Sequence, residues 1–344
     1  MPPARLLSRA PSLLRSAPRR LASTSTRTSP SPPKLTTASA RTHCLSLLRH
    51  SDHSAYILST FQPPSARDAF IALRAFNLEL SSVDSVTSNV AVGRLRLQFW
   101  RESISAVLSP ISSARGVVPA EPVTALLYNS LHTDGAKLSK SFLHRVIAAR
   151  EAYLGAAPFA TLGDLEAYAE NTYGSLQYLN LEACKQRNTA LDHVGSHVGK
   201  AEGVVAVLRG VPLLAASGAG GGGAGGSGGG GQGAVVLPLD VCAEFGLRQE
   251  DVLRRGGDAP GLKDAVFKVA TLANDHLITA RKMLDDAGEA ASGAAFASFL
   301  PAVPTTLYLE RLEKADFNPF APALMRRQWT LPWRAYRAYT TKKF

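Results

Sequence analysis

The sequence predicts an all-α fold, and three observations carry that expectation. Four long stretches repeat apolar residues with the 3.6-residue period of a helix. No stretch sustains the two-residue alternation and tight turns of hairpins. Hydrophobic residues make up 45% of the 344, enough for a sizeable core. A single helical domain is expected over residues 40–315, preceded by a disordered presequence (1–35) and followed by a basic, aromatic extension (316–344).

The presequence comes first. Residues 1–34 carry seven basic side chains and no acidic one, and the apolar pairs Leu6–Leu7 and Leu13–Leu14 are separated by arginines. A secretory signal needs an unbroken apolar run, which those arginines prevent. The composition is that of a mitochondrial transit peptide, whose charge the membrane potential draws inward.

The helices follow in order. Residues 66–80 are the first. Residues 94–108 repeat through Leu97, Trp100, Ile104 and Leu108, and residues 164–183 through Leu165, Tyr168, Thr172, Leu176, Leu179 and Ala183. Residues 262–284 repeat through Leu262, Val266, Val269, Ala273, Leu277, Ala280 and Leu284, and Pro260-Gly261 precedes them. Thr161 and Asp164 have the spacing of a capping box, with Asp in place of the usual Glu or Gln. Residues 217–233 are Ser and Gly almost throughout, a flexible Gly-rich loop inside the domain. No Gly-Lys-Ser/Thr follows it, so it is not a phosphate-binding loop.

Charge excludes some functions. The net +11 is more than accounted for by the seven basic residues of 1–34 and six in 325–344, which leaves the body near −2. A nucleic-acid binder wants its basic stripe on the folded body, so none is expected as partner. The three cysteines, Cys44, Cys184 and Cys242, are far apart, which suits a reducing compartment. No run reaches the roughly 18 apolar residues of a membrane span. The C-terminal stretch mixes Trp329, Trp333, Tyr336, Tyr339 and Phe344 with six cations. That mixture suits contact with the inner membrane or with a nascent hydrophobic subunit; packing on the helical body is equally open.

A family resemblance rests on an ordered set of residues. Pro63, Arg67, Ala69, Ala72, Leu73, Ala75 and Phe76 resemble the first signature of the squalene/phytoene synthases. Trp100-Arg101, then Tyr168 with Gly174-Ser175, then Gly199, Ala201, Leu208 and Arg209, then Val235, Leu237-Pro238 and Gly246 resemble later ones, over most of residues 45–285. The resemblance implies a helical fold of the isoprenoid synthase type. It also implies two Asp-x-x-x-Asp motifs facing each other across a cavity, where carboxylates at i and i+4 share a helix face and hold Mg²⁺ against a substrate diphosphate.

Those carboxylates are missing from the matched positions. The first motif reads Ser81-Ser82-Val83-Asp84-Ser85, so Ser81 and Ser85 stand where ligands belong, and Asp84 is turned about 100° away. The second has Gly210 and Leu214 at its ligand positions, with Pro212 expected to disturb the helix between them, and Ala206 and Gly203 in place of an expected Asn and Gln. No metal and no cofactor are therefore expected. What the resemblance leaves is a cavity, with Arg74, Glu79, Tyr173, Gln177 and Arg209 as residues to line it.

A mitochondrial subgroup of the family shares this loss and serves the assembly of respiratory complex I. The resemblance implies a non-catalytic scaffold or chaperone on the matrix side of the inner membrane, partnered with assembly intermediates carrying a nascent membrane-arm subunit. The alternatives are a Mg²⁺-dependent prenyl diphosphate synthase of the squalene/phytoene type, and an isoprenoid or lipid carrier using the old cavity. His193 and His197 have the spacing of helical metal ligands but lack a third, and are expected as surface histidines. Asp275, Asp285, Asp286 and Glu289 alternate with Arg281 and Lys282, as on a solvated helix face.

Overall fold

Helix α1 (Thr37–Ser51) is opened by a capping box in which Thr36 and Ser39 satisfy each other's backbone N–H groups, and Asp52 caps α2 (His53–Leu58) by accepting the Ala55 N–H at 3.0 Å. Helix α3 (Pro64–Val86) starts on a proline, at the position where a missing N–H costs nothing. Then come α4 (Val90–Val107), α5 (Pro122–His132), α6 (Lys140–Ala152) and α7 (Leu162–Ala169). The Thr161–Asp164 capping box forms at the start of α7 as its spacing predicts. A π turn, Glu170–Gly174, interrupts the expected continuous helix and leads into α8 (Ser175–Ala183). The computed structural model describes residues 36–87, 89–109, 120–155, 157–219, 234–291 and 293–344. The expected presequence (residues 1–35) lies outside them, as do residues 220–233 of the expected Gly-rich loop.

Helix α9 (Thr189–Ala219) runs on through Pro212 and three residues into the expected Gly-rich loop. The expectation that Pro212 would disturb the helix is therefore not met. Proline removes one backbone hydrogen bond, but Leu208 and Val211 are fully buried and Ala215 nearly so, and such packing outweighs local propensity. After α10 (Leu239–Glu244) and α11 (Gln249–Arg255), the chain enters α12 (Leu262–Ala287) at Gly261, whose φ of 76° and contact with the Phe245 carbonyl leave no room for a β-carbon. Helices α13 (Ala294–Phe299), α14 (Ala302–Lys314), α15 (Pro322–Met325) and α16 (Leu331–Thr341) complete the chain. Among the described residues there is no strand, and no helix is long and apolar enough to cross a membrane.

Two apolar clusters meet along α9. One gathers α1, α3, α5 and α8 around Phe76, which meets Trp100 edge-on at 5.5 Å, with Phe296 and Phe299. The other gathers α7, the second half of α9 and α12 around Phe159, Leu208, Val266 and Leu312. The helical body continues past residue 315, where the domain was expected to end: α16 buries Leu331, Ala335 and Ala338, and Tyr339 packs on Phe61 at 5.7 Å. The opposite face of that segment stays exposed.

Candidate functional site

A cavity of about 1230 Å³ opens between α3 and α9. Ser81 and Ser85 reach it from α3, and Gly210 and Leu214 from α9. Asn77 also lines it, one turn before Ser81, so Asn77, Ser81 and Ser85 form one stripe at i, i+4 and i+8. Whichever pair on that stripe is taken, neither member is a carboxylate. Asp84 sits at the rim and accepts the Gly155 N–H at 2.7 Å.

The charged centre of the wall is Arg74. Its guanidinium reaches Asp52 at 2.9 Å and Glu202 at 2.6 Å, and all three side chains are largely buried. Burial pushes the Asp52 carboxyl up, but Arg74 and the Ala55 N–H outweigh it and hold that carboxyl below its usual range. Burial dominates at Glu202, whose carboxyl is raised despite Arg74. Behind Glu202, Gln177 donates to it at 3.3 Å. Tyr173 lies with its ring centroid 5.9 Å from Arg74.

Arg150, from α6, is the second cation on the wall and is half-buried. It donates to the Tyr168 hydroxyl and, at 2.9 Å, to Asn77 Oδ1, while its Nε has no partner. No carboxylate pairs with it among the described residues. Arg209 stands exposed at the rim. Tyr308 closes the other side, its hydroxyl unpartnered and pushed up to about 12 by burial. Two acids thus neutralise Arg74, while Arg150 and Arg209 are left to attract an anionic group, and Leu213, Leu324 and Met325 supply apolar wall.

Of the residues expected to line the cavity, Arg74, Tyr173 and Arg209 do so. Glu79 instead pairs with Arg96 at 3.2 Å, and Gln177 is buried behind Glu202. Asp52, Asn77, Arg150 and Glu202 line it as well, although no local sequence pattern marks them. The one faint signal is that Glu202 is the lone acid of the run from Val198 to Leu208, and a buried acid in such a run demands a cation.

His193 is exposed as expected, but His197 is half-buried, with its Nδ1 3.0 Å from His276 Nδ1. The packing of α9 on α12 brings the two rings together, which no local spacing reveals. Burial lowers both histidines. Asp275, Asp285, Asp286 and Glu289 are exposed. Among the described residues no group of three or more His, Cys, Asp or Glu side chains is placed to hold a metal ion.

Comparison with known proteins matches residues 48–337 to the squalene/phytoene synthase family. A Drosophila melanogaster protein, "NADH dehydrogenase (ubiquinone) complex I, assembly factor 6 homolog", is 36% identical over 296 residues, covering 86% of this chain and 81% of its own. The Mus musculus protein "NADH dehydrogenase (ubiquinone) complex I, assembly factor 6" is 33% identical over 302 residues, covering 88% and 82%. Among solved structures, a dehydrosqualene synthase in complex with ligand superposes with a TM-score of 0.65 at 15% identity, over 89% of this chain and 97% of that one. A squalene synthase from Alicyclobacillus acidocaldarius gives 0.61 at 17%, over 83% and 97%. At these identities the two synthases speak to the fold alone.

Proposed function

Because the chain belongs to the squalene/phytoene synthase family, we propose that it keeps the fold without the chemistry and serves the assembly of mitochondrial respiratory complex I. In this reading it is a scaffold or chaperone on the matrix side of the inner membrane, acting on intermediates that carry a nascent membrane-arm subunit. The observation that carries the reading is the donor set of the cavity. The carboxylates that reach it are Asp52, Glu202 and Asp84. The first two are committed to Arg74 and the third to a backbone N–H. Magnesium wants several free oxygen ligands around one octahedral point; a serine stripe facing a glycine and a leucine does not offer them. The residues do not fit the ion, so no ionisation step runs through it. The relatives' names supply the process, and the acid-free N-terminal stretch supports the compartment.

Deleting the gene and resolving respiratory complexes on native gels tests the role. Loss of complex I, with accumulation of a smaller membrane-arm intermediate, is expected; intact complex I would overturn it. Incubating the purified chain with labelled farnesyl or geranylgeranyl diphosphate and Mg²⁺ tests the enzymatic alternative, for which turnover is the decisive sign.

A second reading draws on the size of the cavity, about 1230 Å³, which is somewhat above the roughly 300–1,000 Å³ usual for small-molecule pockets and leaves room for a lipid tail. An anionic head against Arg150 and Arg209, with an apolar tail along Leu213 and Leu324, would make the chain a lipid carrier. Mass spectrometry of lipid extracted from the purified protein decides it.

A further inference from the structure

The geometry points to residues 325–344 as a docking surface for an anionic phospholipid bilayer. Helix α16 divides this segment into two faces. Leu331, Ala335 and Ala338 face the body and are buried. Trp333 and Tyr336 on the helix, and Trp329 in the turn before it, are turned to solvent and are 68%, 54% and 87% exposed. The Trp333 and Tyr336 rings stack at 6.1 Å, a pre-formed aromatic plate. Indole and phenol rings favour the headgroup layer, where the ring is buried and the N–H or O–H stays wet.

The charge around the plate is of one sign. Arg326, Arg337 and Lys343 are exposed and make no ion pair among the described residues. Arg334 is the exception, tied to Glu310. Arg327, also exposed, donates to the Arg49 carbonyl at 3.3 Å and draws a further exposed cation into the patch. The last acidic side chain of the chain is Asp316, so no acidic side chain within the segment neutralises them. Aromatic rings with flanking cations on one helix face, the other face fixed, make an interfacial anchor for anionic lipid. A second copy of the same surface would be repelled. The face also runs into the cavity: Met325 lines it and is 54% exposed, so docking sets the apolar wall beside the bilayer.

Intrinsic fluorescence of the full chain tests this. Its three tryptophans are Trp100, Trp329 and Trp333, and Trp100 is buried in the core. A change in emission therefore reports on the plate, and any binding by the basic presequence is silent. With vesicles of phosphatidylcholine plus phosphatidylglycerol the emission is expected to move to shorter wavelength; with phosphatidylcholine alone it stays. Each of Arg326→Gln, Arg337→Gln and Lys343→Gln should weaken the partition about fivefold, and Tyr336→Ser should weaken it further. These side chains are exposed, so thermal melts should match the parent. Absence of a shift on anionic vesicles, an equal shift on neutral ones, or an unchanged triple Gln variant overturns the proposal. So does a shift that needs reconstituted membrane-arm protein, because a protein would then cover the face. The outcome is separate from the assembly role: a chain that binds these vesicles while its deletion spares complex I keeps the surface and loses that function.

Discussion

Gly199 of α9 lies against Gly174 of the π turn so closely that a β-carbon on Gly199 would stand 2.5 Å from the Gly174 nitrogen and 2.8 Å from the Tyr173 carbonyl carbon. Those neighbours are backbone and cannot swing aside. Gly199→Ala must therefore push two helices apart, and it is expected to cost about 3 kcal/mol by overpacking. Gly210, three turns on, faces the open cavity, and its β-carbon would meet only Leu214 Cδ1 at 3.9 Å. There the usual helical preference for alanine applies, and Gly210→Ala should stabilise by about 0.5–1 kcal/mol. Urea midpoints of the two variants check both signs. Equal destabilisation would mean that the helix crossing is not what Gly199 serves.

Arg74 is expected to be worth more to stability than any exposed cation of the chain. Its removal strands Asp52 and Glu202 as buried charges without a partner. Arg74→Met should lower stability by about 3–5 kcal/mol. Combining it with Asp52→Asn and Glu202→Gln should recover much of that, because neutral amides carry a far smaller desolvation penalty. Failure of the triple variant to recover would assign Arg74 a role in packing alone, against the ring of Tyr173.

The helices were legible because their signal is local. Leu97, Trp100 and Ile104 recur at helical spacing and are all buried as that spacing requires, and the Thr161 cap is read from two residues three apart. That Ser81, Ser85, Gly210 and Leu214 are not carboxylates was also legible, since identity at a position is a property of sequence. The polar core was not. Arg74 meets Glu202 across the cavity between α3 and α9, and His197 meets His276 because α9 packs along α12; no window of sequence contains either pair. Arg150 reads as one more surface arginine until α6 is seen to aim it at Asn77. The C-terminal extension was ambiguous for a related reason: its small buried residues, Ala335 and Ala338, carry little apolar signal beside the tryptophans on the other face.

The histidine pair makes stability pH-dependent. Burial lowers both rings from the ordinary value of 6.5, although Glu166 pulls His276 the other way from 3.4 Å. Lys200, bonded to Glu166 at 3.0 Å, offsets that pull, and Glu170 acts on His197 from the α7 side. As pH falls below about 6.5 the unfolded chain takes up protons that the folded chain refuses, so stability present above that pH is lost down to the lowered folded values. Chemical denaturation between pH 7.5 and 5.5 should show a falling midpoint, about 1.4 kcal/mol for each unit by which a ring is lowered. His276→Gln should flatten the fall. An identical slope in the variant would place the titration elsewhere.

Restoring the carboxylates tests the loss of chemistry directly. Ser81, Ser85, Gly210 and Leu214 all line the one cavity, so Asp at the four positions brings acids to both of its walls. The quadruple variant should gain a Mg²⁺-dependent rise in melting temperature, because a ligand bound only by the folded state stabilises it by mass action, about 2.7 kcal/mol at a hundredfold excess over Kd. The parent should show none, with or without farnesyl diphosphate. Arg150 is the control on interpretation. Its guanidinium is a fixed positive charge on the same wall, and it should oppose the ion, so adding Arg150→Gln to the quadruple variant should tighten Mg²⁺ further. A parent chain that melts higher with Mg²⁺ and diphosphate together would show that other oxygens in the cavity hold the ion, and the non-catalytic reading would fall with it.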